Sequence, residues 1–232
     1  MNLSKNSITR IENVDLVITG RLVDASNATL FGHLQDDENF KIIYKPVAGE
    51  RPLWDFPDGS LASREYATFL FSEIFGFNLV PLTVLREGPY GFGMVQEWIK
   101  DAQPESLINF AQGMHSQLRK MVLFDALINN ADRKYGHILL VKDELVLGCD
   151  HGVTFHKEEK LRTVLWQFTG LKLEDHEVQT LEMINNHDLK FLQDLLSAAE
   201  ISAIKIRAQS LLKTNALPEP ATDRPAIPWP PV

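Results

Sequence analysis

The sequence Asn130-Ala131-Asp132-Arg133-Lys134-Tyr135-Gly136-His137-Ile138-Leu139 decides the fold of this chain, together with Gly148-Cys149-Asp150-His151-Gly152. The first run follows an amphipathic stretch, and the second follows the strand-like residues 144–147. The residues between Asp132 and Asp150 are enough for one short β-hairpin. We therefore expect the hairpin to bring these two acids together across a cleft.

Asp132 and Asp150 carry the functional interpretation. An aspartate after a helix end is often only a cap or a turn residue, so the position of Asp132 alone decides nothing. A carboxylate at the end of an apolar strand, such as Asp150, is costly to leave unpaired and usually has a partner or a metal. One acid that orients a hydroxyl and one that holds a metal form the lower half of a phosphoryl-transfer site. His137 is then either a metal ligand or a polar turn residue.

The composition bounds the class of protein. A length of 232 residues suits one large domain or two small lobes that share a cleft. A hydrophobic fraction of 44% and a charged fraction of 23% are ordinary for a soluble globular protein. The net charge of −8 argues against a nucleic-acid-binding protein, because phosphate contacts need a basic face.

The cysteine content and the apolar runs bear on location. Cys149 is the single cysteine, which excludes an intramolecular disulfide and a cysteine-rich zinc site. Residues 1–10 are polar and lack the apolar core of a signal peptide. No apolar run approaches the ~18 residues of a membrane span. We therefore expect a cytoplasmic protein without a membrane span.

The first hundred residues read mostly as antiparallel sheet. Runs rich in β-branched residues, with alternating polarity, predict strands over residues 14–23, 29–34, 40–45, 79–85 and 93–99. A solvated loop is expected over residues 35–39. Ser60 is a plausible N-cap for one helix over residues 61–75.

The remainder reads mostly as helix. Residues 114–129 have apolar positions at helical spacing, a short hairpin is expected within residues 138–147, and residues 160–214 read as helical. Six of the twelve prolines fall at the end of the chain, which predicts an extended tail. The predicted division is an N-lobe over residues 1–99, a C-lobe over 100–214 and a proline-rich tail over 215–232.

Lys45 and Glu65 gain meaning as a pair. A lysine that closes a strand is most often a solvated edge residue, and acids favour the first turn of a helix in any case. A strand lysine paired with a helix glutamate, however, is the device that holds the phosphates of ATP in kinase-like folds. The turn over residues 24–28 could cradle phosphate through its backbone N–H groups, and a plain surface turn is as compatible with its sequence.

These motifs resemble those of the phosphatidylinositol 3-/4-kinase-like branch of atypical kinases, including the type II phosphatidylinositol 4-kinases. The sequence is most similar to a group of small, mainly actinobacterial proteins of that type. That similarity includes residues 24–30, 44–46 and 49–56 and the proline-rich tail. The Asp-Arg-x-x-x-Asn catalytic loop of the family is matched by residues 132–137, and its Asp-x-Gly metal motif by residues 150–152.

The resemblance implies a two-lobed α+β protein-kinase-like fold. A small antiparallel β N-lobe with one helix would lie over a mainly helical C-lobe, with ATP and Mg²⁺ between them. The implied catalytic residues are Asp132 and Arg133, of which Arg133 braces the loop. The implied metal ligands are Asp150 and His137. The implied ATP-binding residues are Ser26, Asn27, Lys45, Glu65 and the hinge residues Gln96, Glu97, Trp98 and Ile99.

His137 departs from the family pattern, which has asparagine at this position. Imidazole is a softer ligand than an amide oxygen, so Mn²⁺ is an alternative to Mg²⁺. The same departure leaves open a nucleotide-binding pseudokinase that acts as an interaction module. A metallohydrolase built from Asp132, His137, Asp150 and His151 is a further alternative, although no zinc-type spacing supports it.

The function predicted from these observations is ATP-dependent phosphoryl transfer to a hydroxyl group. The acceptor is an unidentified small molecule, lipid or protein, and transfer of AMP on the same fold is an alternative. Trp54 and Phe56 lie in a loop between prolines, where they either pack the lobes together or form a lid over the acceptor. Trp229 is expected to dock the tail on the domain.

Overall fold

A computed structural model of the chain describes residues 5–22, 27–100, 104–141 and 145–232. Within these ranges the chain is an α+β structure with a five-stranded antiparallel sheet, a two-stranded sheet and six α-helices. Both sheets lie where the residue patterns described above predict strands. The boundaries predicted for the two lobes and the tail remain predictions.

The five-stranded sheet is antiparallel throughout, with the order β1-β2-β3-β5-β4. Its strands are β1 (Leu16–Arg21), β2 (Leu30–Leu34), β3 (Asp37–Pro46), β4 (Thr83–Gly88) and β5 (Gly91–Glu97). Side chains alternate between the two faces of a strand. Ile42 and Tyr44 of the central strand β3 are therefore buried in the core, while Ile43 and Lys45 share the opposite face.

The turn between β2 and β3 is shorter than predicted. The sequence predicted a loop over residues 35–39, but β3 already begins at Asp37. The guanidinium of Arg10 lies 2.9 Å from a carboxylate oxygen of Asp36 and 3.4 Å from one of Asp37. These contacts hold the acidic residues in a tight turn, so the solvated loop is replaced by strand pairing.

A helix that the sequence analysis missed precedes the sheet. This helix, α1 (Lys5–Asn13), buries Ile11 completely in the main core. The guanidinium of Arg86 donates hydrogen bonds to the carbonyls of Ile11 (2.9 Å) and Val14 (2.7 Å) at the helix end. The prediction of one helix beside the sheet was therefore wrong. Only Ile8 and Ile11 of its nine residues are apolar, so the segment reads as a polar terminus in the sequence.

Helix α2 (Leu61–Ile74) begins where it was predicted but is capped by a different residue. Ser60 makes no capping bond. The carboxylate of Glu50 instead accepts hydrogen bonds from the amides of Leu61 (3.1 Å) and Ala62 (2.8 Å). A negative group at this end also complements the helix dipole. The helix places Glu65, which is fully buried, underneath the sheet.

From Pro104 onward, the described residues form four α-helices and the small sheet. The helices are α3 (Pro104–Ala111), α4 (Ser116–Ile128), α5 (Asp175–Asn186) and α6 (Ala198–Thr214), and the strands are β6 (Ile138–Leu140) and β7 (Val146–Gly148). The hairpin and α4 agree with the prediction. The buried guanidinium of Arg64 in α2 contacts Glu200 of α6 and the carbonyl of Thr154, so it joins the two halves.

The prediction that residues 160–214 are helical is wrong for residues 160–174 and for residues 187–197, which separate α5 from α6. Residues 160–174 are mostly irregular and reach from the motif loops to α5. Arg162 donates its backbone N–H to the carbonyl of Asn130 at 2.9 Å, and Arg133 donates to the carbonyl of Arg162 at 3.1 Å. Pairing with the 130–137 loop therefore takes up the backbone groups that a helix would have used.

The proline-rich tail is extended, as predicted, but Trp229 does not dock it. The Trp229 side chain is 88% exposed. The docking groups are backbone carbonyls: that of Ala226 accepts from the amide of Thr163 (3.1 Å), and that of Pro231 from the amide of Tyr135 (2.9 Å). The tail thereby contacts the 130–137 loop. Among the described helices, none combines the length and the apolar character needed to cross a membrane.

Candidate active site

Lys45 joins the sheet to α2 and to the second sequence motif. Its ammonium lies 2.7 Å from a carboxylate oxygen of Glu65 and 2.7 Å from one of Asp150. The other oxygen of Glu65 accepts a hydrogen bond from the amide of His151 at 2.9 Å. A single buried glutamate therefore fixes both the strand lysine and the backbone that carries Asp150.

The electrostatics of this group favour its charged forms. Burial disfavours the cation of Lys45, but the carboxylates of Asp150 and Glu65 outweigh that effect and raise the Lys45 pKa above its usual value. The Lys45 ammonium also holds the pKa of Asp150 well below its usual range. Asp150 adopts the left-handed backbone region, with φ of 57°, which aspartate tolerates better than most residues.

His137 faces Asp150 with an unprotonated nitrogen. Its Nδ1 lies 2.7 Å from the carbonyl of Asp132, which can only accept, so the proton is on Nδ1. Burial lowers the His137 pKa, although Asp150 works in the opposite direction, so the ring is neutral at neutral pH. The Nε2 lone pair then lies 3.3 Å from the second carboxylate oxygen of Asp150. Two facing acceptors without a proton between them suit a shared cation.

The donor set fits a metal that arrives with the nucleotide. In the part of the chain that the structure describes, no group of three or more His, Cys, Asp or Glu side chains is placed to hold a metal. Mg²⁺ usually takes one or two protein ligands and completes its shell with substrate phosphates and water. Asp150 and His137 provide such a pair.

The metallohydrolase alternative loses one of its ligands. The His151 side chain is fully buried, and its Nε2 lies 2.7 Å from a guanidinium nitrogen of Arg133. Because arginine can only donate, Nε2 is the acceptor of that hydrogen bond. The same lone pair is therefore not available to a metal.

Asp132 is held at the mouth of a large cavity. Its amide donates to the side-chain oxygen of Asn130 at 3.0 Å, and its carboxylate lies 3.3 Å from the ammonium of Lys134. Burial raises the pKa of Asp132, and the neighbouring charge of Asp150 adds to that effect. The side chain keeps 27% of its surface exposed, so it is accessible to a substrate.

Arg133 supports the 130–137 loop from inside the core and does not line the cavity beside Asp132. Its guanidinium is completely buried and forms two hydrogen bonds, of 2.8 and 2.9 Å, with the carboxylate of Asp125 in α4. It also donates to the carbonyls of His137 (3.0 Å) and Cys149 (3.3 Å). A Cβ atom on Gly148 would lie 3.0 Å from this guanidinium, which accounts for glycine there. These contacts are those of a residue that supports the catalytic loop, and a direct catalytic role of Arg133 stays a prediction.

Two cavities meet at Asp150. A narrow slot of about 160 Å³ lies beneath the sheet, and a wide cavity of about 600 Å³ lies on the side of Asp132. The slot is lined by Leu22, Thr29, Ile43, Lys45, Gln96, Glu97, Trp98, Ile99, His137, Leu139, Cys149 and Asp150. The wide cavity includes Asn27, Arg51, Trp54, Asp55, Phe56, Asp132, Asp150, Lys160, Arg162 and Arg224.

The predicted hinge lines the slot, but part of its backbone is already used. The amide of Glu97 donates to the carbonyl of Leu82 (2.8 Å), and that of Trp98 to the carbonyl of Lys41 (2.9 Å). The Gln96 side chain is buried and donates to the hydroxyl of Thr83. Neither the Glu97 nor the Trp98 amide is thus available to an adenine base. Among the described residues, the amide of Ile99 has no backbone partner.

The predicted phosphate-binding turn is only partly within the described residues. Ser26 lies outside them, and nothing follows for its predicted role. Asn27 lines the wide cavity, and its side-chain oxygen accepts from the amide of Arg51 at 2.9 Å. Asn27 therefore contacts the loop after β3, and the structure does not bring it to Lys45.

Sequence reasoning missed the residues that support and surround the acids. Asp125 occupies a position on the apolar side of α4, and a carboxylate there was the available signal for a buried partner. The cationic side chains of the wide cavity come from separate segments, so no local pattern indicates them. Of the two loop aromatics, Phe56 is buried, whereas Trp54 is 92% exposed at the cavity rim.

Comparison with known proteins places the chain in a family. The chain is 41% identical to protein Rv2133c of Mycobacterium tuberculosis over 256 aligned positions, which span 93% of this chain and 92% of the relative. The chain belongs to the Rv2133c family. No protein-family model matches this chain. Membership of the phosphatidylinositol 3-/4-kinase-like branch is therefore not shown by sequence comparison.

Two solved structures resemble this chain over most of its length. Hydra Fam20, solved with a sugar, has a TM-score of 0.62 at 13% identity, over 90% of this chain and 86% of that chain. The Golgi casein kinase with Mn and ADP bound has a TM-score of 0.59 at 15% identity, over 90% of this chain and 74% of that chain. At such identities the likeness shows the fold alone, which is kinase-like and two-lobed.

Proposed function

We propose that this protein is an atypical kinase that transfers the γ-phosphoryl group of ATP to a hydroxyl group. The observation that carries the proposal is the position of Asp150. Asp150 contacts Lys45 in the wall of the slot and also lines the wide cavity beside Asp132. A nucleotide in the slot and an acceptor in the wide cavity would therefore meet at one carboxylate.

The slot side supports nucleotide binding. At about 160 Å³ the slot is smaller than a typical ligand pocket, so it suits the base, with the phosphates extending toward Asp150. Lys45 can neutralise phosphate oxygens there while Glu65 keeps it in position. The match of residues 132–137 and 150–152 to phosphatidylinositol 3-/4-kinase-like motifs supports that subtype within the proposal.

Asp132 supports the transfer step. The acceptor oxygen forms a bond to the γ-phosphorus, and the bond from that phosphorus to the β–γ bridging oxygen breaks, so ADP leaves with the electron pair. The proton of the acceptor hydroxyl passes to the carboxylate of Asp132 and then to water. Little covalent work is required of the protein, because positioning and charge neutralisation provide most of the catalysis.

Asp150 and His137 would hold the divalent metal. When bound, Mg²⁺ or Mn²⁺ would neutralise charge on the phosphate oxygens. The role of the chain is to fix both ligands. The Asp132 carbonyl orients the His137 ring, and Lys45 orients the Asp150 carboxylate.

The test is turnover of [γ-³²P]ATP by the full chain with a metabolite extract, compared with Asp132→Asn. Removing the general base is expected to lower turnover by about 10²–10⁴-fold while the affinity for Mg·ATP stays within about twofold. Asp188→Asn, an exposed aspartate in a different part of the molecule, is the matched control and should leave turnover unchanged.

The products separate the alternatives. ADP and a phosphorylated acceptor support the proposal, whereas pyrophosphate and an AMP-modified acceptor would replace it with AMP transfer. Mg·ATP binding without any turnover, in either Mg²⁺ or Mn²⁺, would replace it with a pseudokinase. Equal turnover by wild type and Asp132→Asn would remove Asp132 from the mechanism.

A further inference from the structure

The wide cavity is lined by four cationic side chains, against the three carboxylates of Asp55, Asp132 and Asp150. Arg51, Lys160, Arg162 and Arg224 all line it, although the chain as a whole has a net charge of −8. They reach the cavity from three separate segments: the loop after β3, the irregular stretch before α5, and the tail. A cluster of this kind against the overall charge attracts anions.

Two of these four cations lack an ion-pair partner among the described residues. The ammonium of Lys160 lies 2.9 Å from the carboxylate of Asp55. Within the described residues, Arg51 and Arg162 form no ion pair. Arg224 contacts only its exposed neighbour Asp223, at 3.2 Å, and its buried Nε has no hydrogen-bond partner.

Arg162 is anchored next to the proposed general base. Its Nε donates to the carbonyl of Ala131 at 2.8 Å, and Ala131 directly precedes Asp132. The two remaining guanidinium nitrogens make no hydrogen bond within the described residues. A guanidinium fixed at one nitrogen and unused at the others is suited to binding a carboxylate or phosphate in a bidentate manner.

The tail holds Arg224 in the same wall. The carbonyl of Ala226 accepts hydrogen bonds from the amide of Thr163 (3.1 Å) and from Nε1 of Trp166 (2.9 Å). These two bonds fix the chain two residues after Arg224. Arg224 and Arg162 therefore reach one cavity from segments that are tied to each other.

We propose that the acceptor is a small hydroxy compound that carries a phosphate or carboxylate group, bound by Arg162 and Arg224. This inference rests on the proposed function. A volume of about 600 Å³ is within the usual range for a small-molecule site. With its anionic group on the two arginines, such an acceptor presents a hydroxyl to Asp132, while Lys45 would contact the nucleotide phosphates on the other side and Asp150 would hold the metal.

The test uses inorganic phosphate and acetate as probes, titrated into the full chain with saturating Mg·β,γ-methylene-ATP. The analogue occupies the γ-phosphate position, so a probe that binds must use another site. We expect both anions to bind, and Arg162→Gln or Arg224→Gln to weaken that binding at least tenfold. The affinity for the nucleotide analogue should change less than twofold in either variant.

Two controls keep the outcomes distinct. Lys213→Gln removes an exposed charge on α6 and should bind the probes as wild type does. Thermal unfolding of each variant checks its fold, and the second arginine variant serves if the first is unstable. Binding of the nucleotide analogue without probe binding, or probe binding that neither arginine affects, overturns the anionic acceptor and leaves the kinase proposal intact. Failure of the nucleotide analogue to bind overturns the kinase proposal, and the inference with it.

Discussion

The slot and the wide cavity share Asp150 but differ in their other walls. The slot is narrow, and its lining combines apolar side chains such as Ile43 and Leu139 with a few polar groups, among which Lys45 is the one lysine or arginine. The wide cavity is nearly four times larger and is lined by cations from three segments. Under the proposed function, a flat base would be recognised by shape on one side, and an anionic molecule by charge on the other.

The largest effect expected from this difference concerns Cys149, which lines the slot. Burial and the charge of Asp150 raise the pKa of this thiol to about 12. A raised pKa reduces the thiolate at every lower pH, so alkylation by iodoacetamide near neutral pH should be on the order of a thousandfold slower than for a free thiol. The alkylation rate of Cys149 should still rise about tenfold per pH unit at about pH 10. The rate of a free thiol has levelled off by that pH.

The wide cavity provides the contrasting probe. In a Cys149→Ser background, Trp54→Cys places the only thiol at the exposed rim of that cavity. This variant should react as a free thiol does. Mass spectrometry of the alkylated protein measures both rates, and similar rates at the two positions would show that the slot is not the secluded site described above.

Replacement of Arg133, the buried residue that supports the loops of both cavities, should have the next largest effect. Arg133→Met removes the guanidinium that neutralises the fully buried Asp125 and holds the carbonyls of His137 and Cys149. Loss of one partner of a buried ion pair should lower the free energy of unfolding by about 3–5 kcal/mol. Urea denaturation followed by circular dichroism measures this change.

Asp132→Asn is the matched comparison for Arg133→Met. Its carboxylate is partly exposed and its ion pair with Lys134 is 3.3 Å long, so the free energy of unfolding should change by less than about 1 kcal/mol. A loss of stability in Arg133→Met that does not exceed the loss in Asp132→Asn would contradict the division between a structural arginine and a chemical aspartate.

The smallest difference between two variants is expected in the loop at the rim of the wide cavity. Phe56 is buried against the guanidinium of Arg64, 4.8 Å from its ring centre, so Phe56→Ala should cost about 3 kcal/mol of stability. Trp54 is exposed and contacts Lys160 at 5.1 Å, which accounts for less than about 1 kcal/mol. Thermal unfolding compares the two variants, and equal losses would mean that both aromatics pack.

The parts of the site that the sequence could predict are those with a local signal. Alternating polarity identifies β3 and so places Lys45 at a strand end, and the Asp-His-Gly sequence after an apolar strand singles out Asp150. The cationic wall has no such signal, because Arg51, Arg162 and Arg224 come together only through the tertiary fold. Helix α1 was missed for a different reason, because only Ile8 and Ile11 of its nine residues are apolar.

The most direct test of the account is isothermal titration of Mg·ATP into wild type, Lys45→Met and Lys213→Gln. We expect wild type and Lys213→Gln to bind with the same affinity. Lys45→Met should bind at least tenfold more weakly, because it lacks the cation that Glu65 and Asp150 position beneath the slot. Absence of binding to folded wild type with Mg²⁺ or Mn²⁺, or unchanged affinity in Lys45→Met, would contradict the central claim.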